Sequence, residues 1–110
     1  MAEIISIGKA LKDYLKEIMA NYKVEHIILF GSRAHGTQHK ESDIDLAIFS
    51  SEFTPDNEIA VMADLMLRAM PYHLDIQPLV FPLEDYHSDN DFIQEEIIKR
   101  GIELTLEENS

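Results

Sequence analysis

The residues able to do chemistry crowd into one stretch, Phe30 to Phe49, which reads FGSRAHGTQHKESDIDLAIF. It holds an acidic pair, Asp43 and Asp45, separated by Ile44 alone and followed by Leu46, Ala47, Ile48 and Phe49. Side chains alternate along a strand, so the two aspartates share one face roughly 6 to 7 Å apart, while Ile44, Leu46 and Ile48 line the other. Aspartate is depleted in strands, and two like charges on one face repel unless something positive lies between them. A divalent metal ion is the natural candidate.

Upstream of the pair, the run from Gly31 to Gly36 has the G-x-x-x-x-G spacing of a P-loop after an apolar run. A P-loop continues with Lys and Ser or Thr, the lysine reaching the terminal phosphates. Thr37 and Gln38 stand in those places, so that reading fails. Glycine at 31 still permits close backbone approach, and the Ser32 hydroxyl with nearby N–H groups can hold phosphate oxygens. A plain turn is the competing reading for any single glycine.

The elements that must position this stretch follow from periodicity. Ser6 caps an expected helix in which Ile7, Leu11, Tyr14, Leu15, Ile18, Met19 and Tyr22 recur at helical spacing, with Lys9, Lys12 and Lys16 on the wet side. Val24 to Phe30 reads as a mostly buried strand ended by Gly31-Ser32, and Asp43 to Ser50 as a second strand. Thr54-Pro55 looks like a helix start, the helix running to about Met70 with Ile59, Met62, Ala63, Met66, Leu67 and Met70 as its apolar face. Pro71 stops it. A third strand, HLDIQPLVF, carries Asp75 near its start, and Pro78 argues for an edge position. One turn over Leu83 to Tyr86, a last helix from Asp89 to Arg100 ended by Gly101, and a short strand from Ile102 to Leu106 complete the chain, with Glu107 to Ser110 frayed. Only about twelve mostly polar residues link Phe30 to Asp43, too few for a helical crossover, so the first two strands should pair antiparallel or in a mixed sheet. The expected class is α+β, a small mixed sheet covered by helices.

Composition sets the outer limits. At 110 residues the chain suits one domain with a single modest core. Hydrophobic content of 45% and charged content of 27% are ordinary, but a net charge of -12 is not. Residues 1–50 hold seven acids against six bases, and residues 51–110 hold fourteen against three. That balance argues against binding nucleic acid through a basic footprint and suits metal cations or a basic protein partner. Cysteine is absent, which excludes disulfides and thiolate metal sites. The N-terminus has spread lysines and no continuous apolar core, so neither a signal peptide nor a membrane span is expected and the default location is cytoplasmic.

Gly31-Ser32, followed after a short loop by Ser42-Asp43-Ile44-Asp45-Leu46, resembles the signature of the polymerase-beta-like nucleotidyltransferase superfamily. The short length and the GSRA start resemble its minimal branch, whose members often pair with HEPN-domain proteins as antitoxins. The resemblance covers roughly residues 24 to 80. It implies a small mixed sheet with helices on one side, nucleotide phosphates bound by Gly31 and Ser32, and metals bound by Asp43 and Asp45. The third carboxylate of the family lies on a neighbouring strand, where Asp75 is the good fit; a strand-end aspartate satisfied by backbone N–H groups is the alternative. GSRAHG departs at His35 from the GSRARG of many minimal members, which removes a fixed charge and would weaken phosphate binding or make it pH-sensitive.

The chemistry is consistent with those parts. Nucleotidyl transfer places negative charge on the reacting phosphoryl and on pyrophosphate, and two metals can stabilise the attacking and leaving oxygens. Two Mg2+ ions are expected, with Mn2+ an acceptable substitute, since magnesium favours one or two carboxylates plus substrate phosphates. Asp75 would complete one metal site and take the proton from an attacking hydroxyl. Arg33 either adds charge to the triphosphate site or is solvated. His35 and His39, four apart in a loop, make a poor metal pair, and His26, His73 and His87 have no recurrent spacing. The favoured function is transfer of a nucleotide, AMP from ATP first, onto a hydroxyl of a HEPN-domain toxin by its antitoxin. A binding module that neutralises the toxin by contact is the alternative, and a metal-dependent phosphohydrolase is disfavoured because it leaves the Gly-Ser turn without a purpose. Homo-oligomers are compatible with all three.

Overall fold

The computed structural model describes residues 8–31 and 44–104. The expected Ser6 cap, Ser32, Arg33, His35, His39 and Asp43, and residues 105–110 lie outside the described residues. Helix α1 spans Lys9–Asn21 and buries Leu11, Tyr14, Leu15 and Ile18, while Lys9, Lys12 and Lys16 stay in solvent. Its apolar stripe is narrower than the periodicity predicts, because Met19 faces outward. Strand β1 (His26–Phe30) pairs antiparallel with β2 (Ile44–Ser50), His26 opposite Phe49 and Phe30 opposite Asp45. The short link between them therefore returns the chain as its length requires. β3 (Ile76–Pro82) runs parallel to β2, and β4 (Ile102–Glu103) pairs antiparallel with β1, giving the order β3-β2-β1-β4. Pro78 sits on an edge strand, where a missing N–H breaks no ladder.

Alternation divides the sheet into two faces. Ile27, Leu29, Ile44, Leu46, Ile48, Ile76 and Val80 pack under α1 and under helix α2 (Glu58–Ala69). Ile28, Ala47 and Phe49 form a second core with Ile93 and Ile97 of a π-helical segment, Phe92–Lys99. Helical structure thus covers both faces rather than one, a correction to the expected arrangement. The reason is local: the second face of β2 carries Phe49 and Ala47 beyond its aspartate, and Ile93 and Ile97 recur one helical turn apart to cover them. Asn90 accepts a hydrogen bond from the Ile93 N–H at the start of this segment. At its far end Gly101 leaves room for the backbone to approach β1, since a Cβ there would lie 2.5 Å from Ile28 Cγ2.

α2 begins three residues later than Thr54-Pro55 suggests. Thr54 to Asn57 form a turn in which Asn57 Oδ1 accepts from the Thr54 N–H and the Thr54 carbonyl accepts from the Glu58 N–H. The helix also presents a different face to the core. Val61, Leu65 and Ala69 are buried, with Met62 partly so, while Ile59, Met66, Leu67 and Met70 are exposed. Polar tethers fix this orientation. The Tyr14 hydroxyl, in the core, donates to the Leu65 carbonyl at 2.7 Å. Arg68 reaches Asp64 at 2.7 Å and Glu17 of α1 at 2.9 Å, the Tyr22 hydroxyl donates to Asp64, and the Tyr72 hydroxyl donates to Glu17. The Tyr72 hydroxyl, and then Arg68, hold the Glu17 carboxyl below its ordinary range, and burial pushes the Tyr14 phenol up. α2 continues into a 3-10 turn, Met70–Tyr72, and then His73 adopts a left-handed conformation. A second 3-10 turn, Leu83–His87, follows β3.

Removing the Tyr14 hydroxyl leaves the Leu65 carbonyl one donor short. Tyr14→Phe should cost about 1 kcal/mol in urea unfolding, without changing the face α2 buries. An unchanged midpoint would mean that this tether contributes nothing to α2 placement.

Candidate active site

The site is assembled where the second face of the sheet runs out of apolar side chains. Phe30 and Asp45 are cross-strand partners, so the residue after Phe30 must turn beside the aspartate. That residue is Gly31, at φ +83°, a conformation that L side chains rarely adopt. A Cβ on Gly31 would overlap Asp45 Oδ2 and lie 3.2 Å from its Cγ. The glycine predicted to allow close approach therefore does so, and what it approaches is the carboxylate.

Asp45 is half-buried, and burial pushes its carboxyl up from the ordinary range. No Lys, Arg or His among the described residues pairs with it. On the next strand Gln77 lies opposite Asp45, and Asp75 is two residues earlier on the same face. In an ideal sheet that diagonal puts the Asp45 and Asp75 Cα atoms roughly 8 Å apart. The Asp75 carbonyl accepts from the Ile44 N–H at 2.9 Å, which ties the start of β3 to the start of β2. Its carboxylate accepts from Gln77 Nε2 at 3.4 Å, so a side chain and not a backbone cap meets it.

The geometry thus brings together three sequence-predicted residues: Gly31, Asp45 and Asp75. Ser32, Arg33 and Asp43 lie outside the described residues, and their roles remain expectations. Among the described residues no cluster of three His, Asp or Glu side chains is placed to hold a metal. The donors present are nonetheless hard oxygens, suited to Mg2+ or Mn2+. Gln77 was missed in the sequence; the signal was its two-residue spacing from Asp75, which places both on one face.

Among the described residues, no histidine joins Asp45 and Asp75 in a metal-holding cluster. His26 stacks on Tyr86 with ring centroids 3.7 Å apart, and its Nδ1 lies 2.6 Å from Glu103 Oε2. That cluster sits at the opposite end of β1 and fastens the turn after β3 to β4. His73 and His87 are exposed.

Gly31→Ala imposes two penalties at once, a strained φ and an overlap with the Asp45 carboxylate. Stability should fall by about 1–2 kcal/mol. Mn2+ affinity should fall at least as far as in Asp45→Ala, measured by proton relaxation enhancement. Parental Mn2+ affinity in Gly31→Ala would separate the glycine from the site.

Comparison with known proteins bears on the family and the fold. The family model described as polymerase beta, nucleotidyltransferase, matches residues 13–109. A Methanocaldococcus jannaschii protein named as a candidate protein adenylyltransferase is 43% identical over 56 residues, 51% of this chain and 64% of that protein. A second from the same organism, named likewise, is 32% identical over 80 residues, 72% of this chain and 80% of that one. The protein adenylyltransferase MntA of Shewanella oneidensis is 28% identical over 82 residues, 74% of this chain and 54% of MntA. The chain therefore spans less than two thirds of the first and third of these relatives. Among solved structures, a toxin–antitoxin complex with AMP-PNP superposes with a TM-score of 0.60 at 20% identity, covering 89% of this chain and 75% of that one. At that identity the likeness concerns the fold. With the family model spanning nearly the whole sequence, the chain belongs to the polymerase-beta nucleotidyltransferase family.

Proposed function

We propose that this protein transfers AMP from ATP to a hydroxyl of a partner protein, a HEPN-domain toxin, and acts as its antitoxin. The observation that carries the proposal is the Asp45 carboxylate, partly desolvated and pressed against the Gly31 backbone on the face it shares with Asp75. The adenylyltransferase names of the relatives and the AMP-PNP of the structural neighbour support AMP as the transferred group and a toxin as the acceptor. Asp43, Asp45 and Asp75 would hold divalent metal, Mg2+ first, which when bound neutralises charge on the triphosphate and the leaving pyrophosphate.

This chain's own residues supply the rest. Gly31, with Ser32 and Arg33, brings backbone N–H groups and positive charge to the phosphates. The acceptor oxygen attacks the α-phosphorus, its bond to phosphorus forms as the bond to pyrophosphate breaks, and the hydroxyl proton passes to the Asp75 carboxylate. Gln77 Nε2 donates to the Asp75 carboxylate at 3.4 Å and in this proposal serves to orient the base.

α-Labelled ATP, Mg2+ and the product of the neighbouring gene, tested as the HEPN-domain partner, examine the reaction. The expected result is label on the partner, abolished by Asp45→Asn. Asp75→Asn should leave nucleotide affinity within about twofold and lower turnover by at least ~100-fold, since it keeps shape but cannot accept a proton. A tight complex that inhibits the toxin with no label in it would establish neutralisation by contact instead. Full transfer by Asp45→Asn would remove the site from this part of the sheet.

A further inference from the structure

α2 is apolar on both sides. Its core arc holds Val61, Leu65 and Ala69. The opposite arc holds Ile59, Ala60, Ala63, Met66, Leu67 and, at its end, Met70, spanning about 120° of the helix at ~100° per residue. No charged or hydrogen-bonding side chain interrupts that outer arc. Ile59 is 72% exposed, Leu67 63%, Met70 64% and Met66 47%. The three polar residues of the helix, Glu58, Asp64 and Arg68, fall outside it, and the last two are committed to the network with α1. A surface helix keeps its outward arc polar, and one that is apolar all round is normally covered on both sides.

Charge and backbone decide what covers it. Between Ser51 and Ile98 the only Lys or Arg is Arg68, and Glu17 and Asp64 already pair with it. Glu52, Asp56 and Glu58 lie at or just before the start of α2, and Glu84 lines a pocket with Thr54 and Pro55, with no Lys or Arg in their part of the sequence. A second copy would bring together two chains each carrying a net charge of -12. Strand addition is opposed too. β3, the edge strand beneath α2, has Pro78 and Pro82 with no N–H to offer. What fits is a helix packed by its side chains, apolar along the contact and basic at its flanks. The methionines on the arc suit such a contact, being adaptable in shape.

We infer that the outer face of α2 is the docking surface for an amphipathic helix on a basic partner protein. Ile59, Met66, Leu67 and Met70 supply the contact, and the acids at the N-terminal end of the helix, Glu52, Asp56 and Glu58, steer the approach. For the identity of the partner this rests on the antitoxin reading.

Leu67→Glu separates docking from attraction, because it adds negative charge while spoiling the apolar arc. Its side chain is in solvent, so the fold should be retained, and far-UV circular dichroism checks this. Affinity for the HEPN-domain protein should drop about tenfold or more in Leu67→Glu, and Met66→Glu should behave alike. Adenylyl transfer to the partner at saturating concentration should persist. If a complex forms and Leu67→Glu binds as tightly or tighter, the α2 inference fails and the antitoxin reading stands. If no complex forms, the antitoxin reading fails. A synthetic 18-residue Leu/Lys amphipathic helix then decides the surface: binding lost in Leu67→Glu supports it, and no binding or binding indifferent to Leu67→Glu overturns it. A wild-type dimer in sedimentation, dissociated by Leu67→Glu, would assign the face to a second copy and overturn the inference.

Discussion

The structure depends on one close approach, the Gly31 backbone against the Asp45 carboxylate. Antiparallel pairing sets Phe30 opposite Asp45, and the chain must leave β1 there without a side chain in the way. Glycine at φ +83° meets both demands, the left-handed turn and the missing Cβ. No other residue type does so without strain. Every other element can be understood as support for that register. α1 and α2 hold the face with Ile44, Leu46 and Ile48, and the π-helical segment holds the face with Ala47 and Phe49. β3 enters parallel to β2, so that Asp75 and Gln77 come up beside Asp45.

The same face therefore changes character along its length. Around Phe49, Phe81, Tyr86 and His26 it is aromatic and closed. At Asp45 it is polar and only half-buried. Burial at that end raises the carboxyl without supplying a cation among the described residues, a state costly for folding. Because the folded carboxyl titrates above its unfolded value, ionising it works against the fold. The penalty is absent below the unfolded pKa and grows as pH rises through the folded one. A bound cation would reverse it.

Much of this was legible in the sequence, and the exceptions have physical causes. The short polar link was enough to expect antiparallel or mixed pairing of the first two strands, and the aspartates flanking Ile44 to expect a charged face on the second. Pro78 marked the edge strand for the plain reason that it cannot donate. The burial of α2 was not legible, because both arcs of that helix are apolar and periodicity selects a face only where hydrophobicity is uneven. What decides it is long-range: the Tyr14 hydroxyl on the Leu65 carbonyl, and Arg68 between Glu17 and Asp64. The second core failed for a related reason. Ile93 and Ile97 find their role only once Phe49 has been placed on the opposite face from Ile48, and Gln77 acquires meaning only from the register that sets it beside Asp45.

The central claim is that cations meet this chain at the Gly31–Asp45 end of the sheet and not at its many surface carboxylates. Substoichiometric Mn2+ with a non-hydrolysable ATP analogue, followed by paramagnetic broadening of backbone amide signals, addresses it residue by residue. The account predicts early loss of the Gly31, Asp45, Asp75 and Gln77 signals, with those of Glu84 to Glu96 persisting. Broadening that begins across Glu84 to Glu96 and spares Gly31 and Asp45 would contradict it.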